Sequence, residues 1–447
     1  MVLSKYNVFL PLKNGGYIVY NTFSGATFRL DEEAVNALRQ YSDGRTIPET
    51  SLAKLSRGHV IVGEDTDETA VFRVEHNKAK FASSVLQITI LTTYQCNLAC
   101  SYCYQGKGDV LRGVMSPSTV NKTLLFLKNE VQRRHCGEFS VILYGGEPML
   151  NFEACLKILD VSRDLAKQEN ARCHESVITN GTLLTSENVA ELYKRDIENV
   201  QITLDGPRDE HDHKRKYKSG TGTYSDIFKS LTLLNDLGIG IVLRMNIDKN
   251  TSVEGVSNLL DDLKKINLEN YNTYFSALRC LTGACSDYAG MCLQDTELNI
   301  LPALWNLCME KGVNVSCRPN VLRVHCSSQT DSSYAVDPSG DIYKCWEFIG
   351  DVRHRVGRIS DDGEMVDIKG SYYSWLSRDP TFFESCRKCQ WLPSCGGGCV
   401  SKAYVKHKSY DFPHCGDIRY TMKYRLKAYL KQMFPNLPMN EHEESSR

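Results

Sequence analysis

The sequence predicts an α/β protein built around a partial (β/α)6 barrel of the TIM-barrel type. Six short apolar runs alternate with amphipathic helical stretches in the middle of the chain, which is typical of parallel βα units. The predicted strands cover residues 86–91, 139–144, 175–179, 199–204, 240–246 and 273–278. The helical stretches between them cover residues 118–132, 151–168, 186–195, 224–237 and 251–265. In such barrels chemistry lies beyond the carboxyl ends of the strands, so the residues after each strand are the first candidates for a site.

Two further segments flank the predicted barrel, which we place at residues 85–305. Residues 1–84 read as strands followed by short helices and are predicted to form a small accessory domain. Residues 306–447 are dominated by turns and cysteines and close with a helix over 417–434. The chain is therefore predicted to have three parts.

Charge and hydropathy exclude some classes of partner. The 447 residues include 53 basic and 54 acidic side chains, a balance that gives no electrostatic footprint for nucleic acid or an anionic membrane. No apolar run reaches the roughly 18 residues that a membrane span needs. The first residues also lack the pattern of a signal peptide. We therefore expect a cytoplasmic protein with no nucleic-acid or membrane partner.

The 18 cysteines are the strongest compositional signal. Most of them lie at short, fixed spacings. In a long chain without a signal peptide such spacings favour metal binding over disulfides, because a reducing compartment keeps thiols reduced.

The first cysteine group, Cys96, Cys100 and Cys103, follows the first predicted barrel strand. Three thiolates on one loop can bind three irons of a cubane and leave the fourth iron open to a small ligand. Structural zinc is the alternative, but it prefers four ligands, typically in two pairs. The spacing therefore favours a [4Fe-4S] cluster with an open iron.

The Cys-x3-Cys-x2-Cys spacing with Tyr102 before the last cysteine resembles the signature of the radical S-adenosylmethionine (SAM) family. The resemblance implies that SAM binds the open iron and is cleaved to a 5'-deoxyadenosyl radical. It also implies that Tyr144–Pro148 contacts the SAM amino group, through Gly145, Gly146 and Glu147. Arg215 would then pair with the SAM carboxylate, and Asn180 and Thr203 would line the site.

Each of these residues also has a structural interpretation. Paired glycines allow close backbone approach, and the Glu147 carboxylate can accept from an ammonium group. Asn180 precedes a glycine, a combination that is common in plain turns. Arg215 stands in a run with His211 and His213 that also fits a solvated charged loop.

The second cysteine group resembles the SPASM extension of radical SAM peptide-modifying enzymes, which binds two auxiliary [4Fe-4S] clusters. Its members are Cys326, Cys345, Cys386, Cys389, Cys395, Cys399 and Cys415. The resemblance assigns the distal cluster to Cys386, Cys389, Cys395 and Cys415. It assigns the proximal cluster to Cys326, Cys345 and Cys399. Cys317 is the candidate for the fourth ligand of the proximal cluster, with Cys308 or an open iron as alternatives. A zinc ribbon over residues 386–399 is the alternative to the auxiliary clusters.

The resemblance also implies a substrate class. In sulfatase-maturating relatives an Asp follows the equivalent of Cys345 and acts as a base, whereas here Trp346 cannot accept a proton. Residues 1–84 resemble, in reduced form, a winged-helix-like domain that pairs a leader peptide along a strand edge. We therefore expect modification of a ribosomally synthesised precursor peptide, with a thioether, a carbon–carbon crosslink or an epimerised centre as the product, and a ferredoxin or flavodoxin as electron donor.

Two alternatives remain open at this point. One is a radical SAM enzyme that acts on a small molecule or a whole protein. The other is a non-catalytic iron–sulfur or zinc binding module. Cys280 and Cys285 also have two interpretations. They follow the last predicted barrel strand, and they are either small side chains packed in the core or thiols that capture a substrate thiol.

Overall fold

The computed structural model of the protein describes residues 1–39, 49–82, 84–106, 111–268, 271–280 and 283–440. These residues form two compact units. The first unit contains Met1–Phe81, Cys317–Cys326 and the residues from Arg378 onward. The second unit contains Ala82–Ser316 and Ser327–Ser377.

The amino-terminal part of the first unit is a small α/β assembly. A three-stranded antiparallel sheet has the order β2-β3-β4, and the short strands β1 and β5 pair with each other. The elements are β1 (Val2–Leu3), β2 (Asn7–Pro11), β3 (Tyr17–Asn21), β4 (Thr27–Leu30), α1 (Glu32–Arg39), α2 (Glu49–Arg57), β5 (Ile61–Val62) and α3 (Glu68–Lys80).

The second unit contains six parallel strands that follow one another in chain order, which confirms the predicted partial (β/α)6 barrel. They are β6 (Val85–Thr93), β7 (Glu138–Gly145), β8 (Arg172–Ile178), β9 (Asn199–Thr203), β10 (Gly240–Ile247) and β11 (Tyr271–Ala277). Between them run α4 (Pro117–Arg134), α5 (Phe152–Gln168), α6 (Ser186–Lys194), α7 (Arg208–Lys214), α8 (Tyr224–Asp236) and α9 (Val253–Lys265), and α10 (Ile300–Glu310) follows β11.

The central sheet continues past β6 with strands that the sequence did not predict. β12 (Ser333–Val336) pairs parallel to β6, and β13 (Asp341–Tyr343), β14 (Gly357–Ile359) and β15 (Met365–Val366) extend the sheet antiparallel. All four residues of β12 are buried, so the strand has no apolar–polar alternation to reveal it. α11 (Gly370–Ser377) completes this unit.

The cysteine-rich part of the first unit is helical. It contains α12 (Glu384–Arg387), α13 (Leu392–Cys395), α14 (Val400–His407) and the closing helix α15 (Gly416–Met433). One hydrophobic core joins it to the amino-terminal sheet, because Leu10 and Tyr20 pack with Leu426 and Leu430. The predicted boundaries at residues 84 and 305 therefore differ from the grouping into units, in which residues 306–447 are divided between both.

Local sequence signals explain where the barrel helices begin. The Ser116 side chain accepts from the backbone amide of Thr119, and Pro117 occupies the first turn of α4. Thr185 and Ser252 cap α6 and α9 in the same way. In the part of the chain that the structure describes, no helix has the length and apolar character to cross a bilayer.

The two faces of the barrel strands differ in character. On β6 the alternate residues Leu86, Ile88 and Ile90 are fully buried, as expected for the face that supports the helices. The other face of the sheet carries polar side chains; the Tyr274 hydroxyl on β11 donates to Gln201 on β9 at 3.2 Å. Polar side chains on this face are therefore available near the carboxyl ends of the strands, where the candidate site is expected.

Candidate functional site

Cys96, Cys100 and Cys103 lie on one loop that begins directly after β6. Two backbone hydrogen bonds join the loop to the end of α7 and to the residues that follow it. The amide of Ala99 donates to the carbonyl of Lys216 at 2.8 Å, and the amide of Ser101 donates to that of Lys214 at 3.0 Å. The three thiols are thus placed at the carboxyl end of the sheet, where the βα architecture positions reactive groups.

The chemistry of this loop fits an iron–sulfur cluster. Burial raises the pKa of the Cys100 thiol to about 12, and the neighbouring Cys96 and Cys103 raise it further, while the Arg215 guanidinium acts in the opposite direction. Three thiolates on one loop can each bind a separate iron of a cubane, which is the donor set that a [4Fe-4S] cluster with one open iron needs.

Gly145 and Gly146 are required by close packing against the start of the cysteine loop. The amide of Gly146 donates to the carbonyl of Thr93 at 2.9 Å, and that of Glu147 donates to the carbonyl of Gln95 at 2.8 Å. Gly145 has a φ of +153°. A Cβ atom at Gly146 would overlap the carbonyl oxygens of Tyr94 and Gln95. The glycine pair therefore fixes the path of the backbone that leads into Cys96.

Glu147 is completely buried and connects the ends of β7 and β8. Its carboxylate accepts from the Thr179 hydroxyl at 2.6 Å, from the amide of Asn180 at 2.7 Å and from the amide of Met149 at 3.1 Å. Burial raises the pKa of Glu147, and these three donors act against that rise. The carboxylate thus has a structural role that the sequence did not reveal, while its predicted contact with the SAM amino group stays a prediction.

Tyr102 is the centre of a hydrogen-bond network drawn from distant parts of the chain. Its hydroxyl donates to Asp205. It accepts from Nη1 of Arg215 at 2.8 Å and from the side-chain amide of Asn246 at 3.1 Å. Nε of Arg215 is buried and has no hydrogen-bond partner among the described residues. The guanidinium therefore has a donor available for an anionic ligand beside the cysteine loop.

Asn180 and Thr203 complete the set of residues predicted to contact SAM. The Asn180 side chain donates to Oδ1 of Asn97 at 2.8 Å, and its amide nitrogen lies 3.8 Å from Sγ of Cys96. Thr203 is buried at the end of β9, in register with Arg244 on β10. The structure thus brings Asn180 to the cysteine loop and places Thr203 at the same edge of the sheet.

His211 has a structural role in place of the charged-loop role considered from the sequence. It lies in α7, fully buried, where Nδ1 accepts from the amide of Asp205 at 3.2 Å and Nε2 contacts the Thr223 hydroxyl at 3.0 Å. The seven residues of α7 carry no apolar periodicity, so no local pattern indicates a helix there. His211 therefore supports the Asp205 turn that holds Tyr102.

Lys214 and Asp248 form a buried ion pair near this network, and the pair leads to a prediction about stability. Nζ of Lys214 lies 3.0 Å from Oδ2 of Asp248, and both side chains are almost completely buried. Burial raises the pKa of Asp248, but the Tyr288 hydroxyl and Lys214 outweigh it and hold the pKa below its usual value. We expect Lys214→Met to lower the free energy of unfolding by about 3–5 kcal/mol, because it leaves a buried carboxylate unpaired. Urea denaturation measures this loss.

The loss in the free energy of unfolding caused by Lys214→Met should depend on pH, because Asp248 is titratable. A carboxyl whose folded-state pKa is depressed stabilises the fold above its unfolded-state pKa, and this contribution is lost as pH falls through the folded-state value. The difference between wild type and Lys214→Met should therefore be full at neutral pH and shrink in acid. Lys265→Met, which removes an exposed partner of Asp262, is the matched control and should leave stability nearly unchanged. An equal loss in both variants would contradict the assignment.

Four cysteines of the first unit lie near one another. Burial raises the pKa of Cys395 to about 12, with further contributions from the charges of Cys386, Cys389 and Cys415. Cys386 has a raised pKa of about 11, from burial and then from Cys415 and Cys389. The structure therefore groups the four residues to which the resemblance assigns the distal auxiliary cluster.

The remaining predicted ligands are distributed differently. Burial and then the nearby Cys326 raise the pKa of Cys399, so these two are neighbours. Cys317 is buried, and its thiol contacts Oε1 of Gln432 at 3.5 Å. Cys345 lies in the second unit, directly before a 3-10 helix over Trp346–Phe348. The Trp346 ring lies 6.1 Å from the Tyr144 ring at the end of β7.

The middle part of the chain is similar to known proteins. Residues 90–263 match the radical SAM superfamily. A cysteine-type anaerobic sulfatase-maturating enzyme of Clostridium perfringens is 24% identical over 322 residues, which is 68% of this chain and 85% of that protein. The radical SAM cyclopropyl synthase TigE of Paramaledivibacter caminithermalis is 20% identical over 456 residues, 91% of each chain.

A solved structure extends the likeness of the fold. The crystal structure of Streptococcus suis SuiB bound to its precursor peptide SuiA superposes with a TM-score of 0.55 at 17% identity, over 92% of this chain and 98% of SuiB. When bound, the cofactors of a radical SAM domain supply an open iron and a reducible SAM. Residues 90–263 of this chain thus form a radical SAM domain, and the protein is an enzyme that uses a [4Fe-4S] cluster and SAM.

Proposed function

We propose that this enzyme modifies a residue of a ribosomally synthesised peptide, starting with hydrogen abstraction by a 5'-deoxyadenosyl radical. The observation that carries the proposal is the extent of the likeness. It covers 91% of the chain for TigE and 92% for SuiB, whose structure holds a precursor peptide, and so it includes the amino-terminal strands and the cysteine-rich part. A likeness limited to the barrel would support the radical chemistry alone.

Residues of the barrel unit have distinct tasks in this proposal. Cys96, Cys100 and Cys103 hold the SAM-cleaving cluster, and Arg215 holds the SAM carboxylate with its available donor. Tyr102 keeps that guanidinium in place through its hydroxyl. Gly145, Gly146 and Glu147 position the backbone that contacts the SAM amino group, and Asn180 and Thr203 line the site.

The polar face of the barrel is the proposed substrate region. Nε of Arg244 donates to Asn246 at 2.8 Å, and Nη2 donates to the Ser276 hydroxyl at 3.0 Å. The hydroxyls of Tyr104 and Tyr144 hydrogen-bond to each other at 2.8 Å. These side chains combine hydrogen-bonding groups with aromatic surface, which suits a peptide backbone and its side chains.

A leader segment of the substrate is proposed to pair with β4. This strand is one edge of the three-stranded sheet β2-β3-β4, so its outer backbone groups have no partner strand among the described residues. The side chain of Arg29 at its centre is exposed. An extended peptide can add to such an edge through main-chain hydrogen bonds.

The cysteine-rich part is proposed to hold two auxiliary [4Fe-4S] clusters. Cys386, Cys389, Cys395 and Cys415 bind the distal one, and Cys326, Cys345 and Cys399 bind the proximal one with Cys317 as candidate fourth ligand. Clusters held by these cysteines would supply an acceptor for the electron that remains after a thioether or carbon–carbon bond has formed. An epimerised centre is the other product class. Trp346, in the position of the relatives' base, makes formylglycine formation a poor fit.

The test uses the cluster-loaded enzyme, reductant, SAM and synthetic peptides translated from short reading frames beside its gene. We expect one peptide, deuterated at the attacked residue, to change in mass and to transfer deuterium to 5'-deoxyadenosine. Hydrogen exchange should show new protection at β4 and none at β2 when that peptide binds. Deuterium transfer from a small molecule or an intact protein, with none from any peptide, would overturn the proposal while leaving the radical chemistry intact.

A further inference from the structure

Cys280 and Cys285 form a close pair of thiols outside every predicted ligand set. They follow β11 in the barrel unit, and the Cys285 thiol donates to Sγ of Cys280 at 3.1 Å. A disulfide has an S–S length near 2.05 Å, so the two sulfurs need to approach by only about 1 Å to bond.

The two thiols differ in access. Cys280 is half-buried, whereas Cys285 is 3% exposed. A reagent from solution therefore reaches Cys280 first, and Cys285 is positioned to attack the product from inside. This division into an accessible and a resolving cysteine is the arrangement that thiol–disulfide exchange requires.

The surroundings of Cys280 set the conditions under which it reacts. The pKa of Cys280 is raised to about 12, first by burial and then by the hydrogen bond and charge of Cys285. Since the thiolate is the attacking form, exchange at Cys280 should become faster as pH rises. The Cys285 thiol is placed to donate to the Cys280 sulfur when that thiolate forms.

We propose that Cys280 and Cys285 form a dithiol site that exchanges with organic disulfides. The thiolate of Cys280 attacks one sulfur of a disulfide RSSR, forms a mixed disulfide and releases RS⁻. The thiol of Cys285 then loses its proton and attacks Cys280, which forms the Cys280–Cys285 disulfide and releases the second RS⁻. Two electrons and two protons pass from the cysteines to RSSR, which leaves as two thiols.

The segment that contains Cys285 also contacts the cysteine loop after β6, through a pair of aromatic rings. The 3-10 segment Gly283–Met291 contains Tyr288, whose ring packs edge-on against the Tyr102 ring at 5.8 Å. The Tyr288 hydroxyl donates to Asp248, which fixes that side of the segment. The exchange site therefore lies near the cysteine loop at the carboxyl ends of the strands, and the proposal does not depend on a peptide substrate.

The test is cysteine mapping of the cluster-loaded full chain under anaerobic conditions. The protein is incubated with glutathione disulfide or with the disulfide-linked dimer of a short cysteine peptide, quenched in acid, alkylated and digested for mass spectrometry. We expect wild type to yield a fragment linked through Cys280 and Cys285. Cys285→Ser should instead retain one glutathione or one peptide on Cys280, and Cys280→Ser should retain almost none on Cys285.

Cys292→Ser is the matched control, because Cys292 is a buried neighbour whose thiol contacts the carbonyl of Tyr288. This variant should form the Cys280–Cys285 link as wild type does, with unchanged iron content. Reaction with either oxidant supports the site, and the faster one identifies the source of its disulfide. Two singly alkylated thiols in wild type after exposure to both oxidants, or a link that depends on Cys292, would overturn the proposal.

Discussion

Replacing Cys96, Cys100 and Cys103 together by Ala is expected to abolish 5'-deoxyadenosine production. Wild type with one catalytic and two auxiliary cubanes should contain about twelve irons, and the triple variant about eight. The physical reason is that the loop after β6 is proposed to supply all three thiolates of the SAM-cleaving cluster, while the cysteine-rich residues lie elsewhere in the chain. Iron and sulfide analysis after anaerobic reconstitution, with 5'-deoxyadenosine measured after dithionite and SAM, checks the result.

Replacing a buried cysteine that is not a predicted ligand is the control for the triple cysteine variant. Cys136 lies between α4 and β7 and is 4% exposed. Cys136→Ala should keep the full iron content and the SAM-cleaving activity. Zinc in place of iron in wild type, or unchanged 5'-deoxyadenosine in the triple variant, would show that the loop does not hold the reactive cluster.

Gly146→Ala is expected to remove the SAM-cleaving cluster without touching any ligand. The added methyl group would overlap the backbone oxygens of Tyr94 and Gln95, which cannot rotate away as a side chain does. The strand end or the cysteine loop must shift, so the three thiols lose their common geometry. We expect loss of about four irons, as in the triple cysteine variant, and loss of 5'-deoxyadenosine production by at least about 100-fold.

Gly137→Ala is the matched control for this substitution. Gly137 precedes β7, and a Cβ atom there meets no heavy atom within 4 Å. This variant should keep its iron and its activity. Full iron content in Gly146→Ala with weakened SAM binding would instead show that the glycine contacts the cofactor directly and does not shape the loop.

The strand pattern of the barrel could be predicted because each strand carries its own local signal. All six predicted strands appear within about three residues of their observed ends, from β6 to β11. The short, fully buried β12 and the polar helix α7 were missed, since neither has a periodicity that distinguishes it from a loop. The motif of Cys96, Cys100 and Cys103 could be recognised without a structure, because the three cysteines share one loop.

The sequence by itself determined the chemistry of this protein: the spacing of Cys96, Cys100 and Cys103, the order of strands and helices, and the family that both indicate. These features are local, so neighbouring residues specify them. Only the tertiary structure decided that Arg215 donates to Tyr102, that Glu147 joins two strand ends, and that Cys280 and Cys285 form a pair. Such contacts depend on how distant or irregular segments pack, and no local spacing specifies that packing.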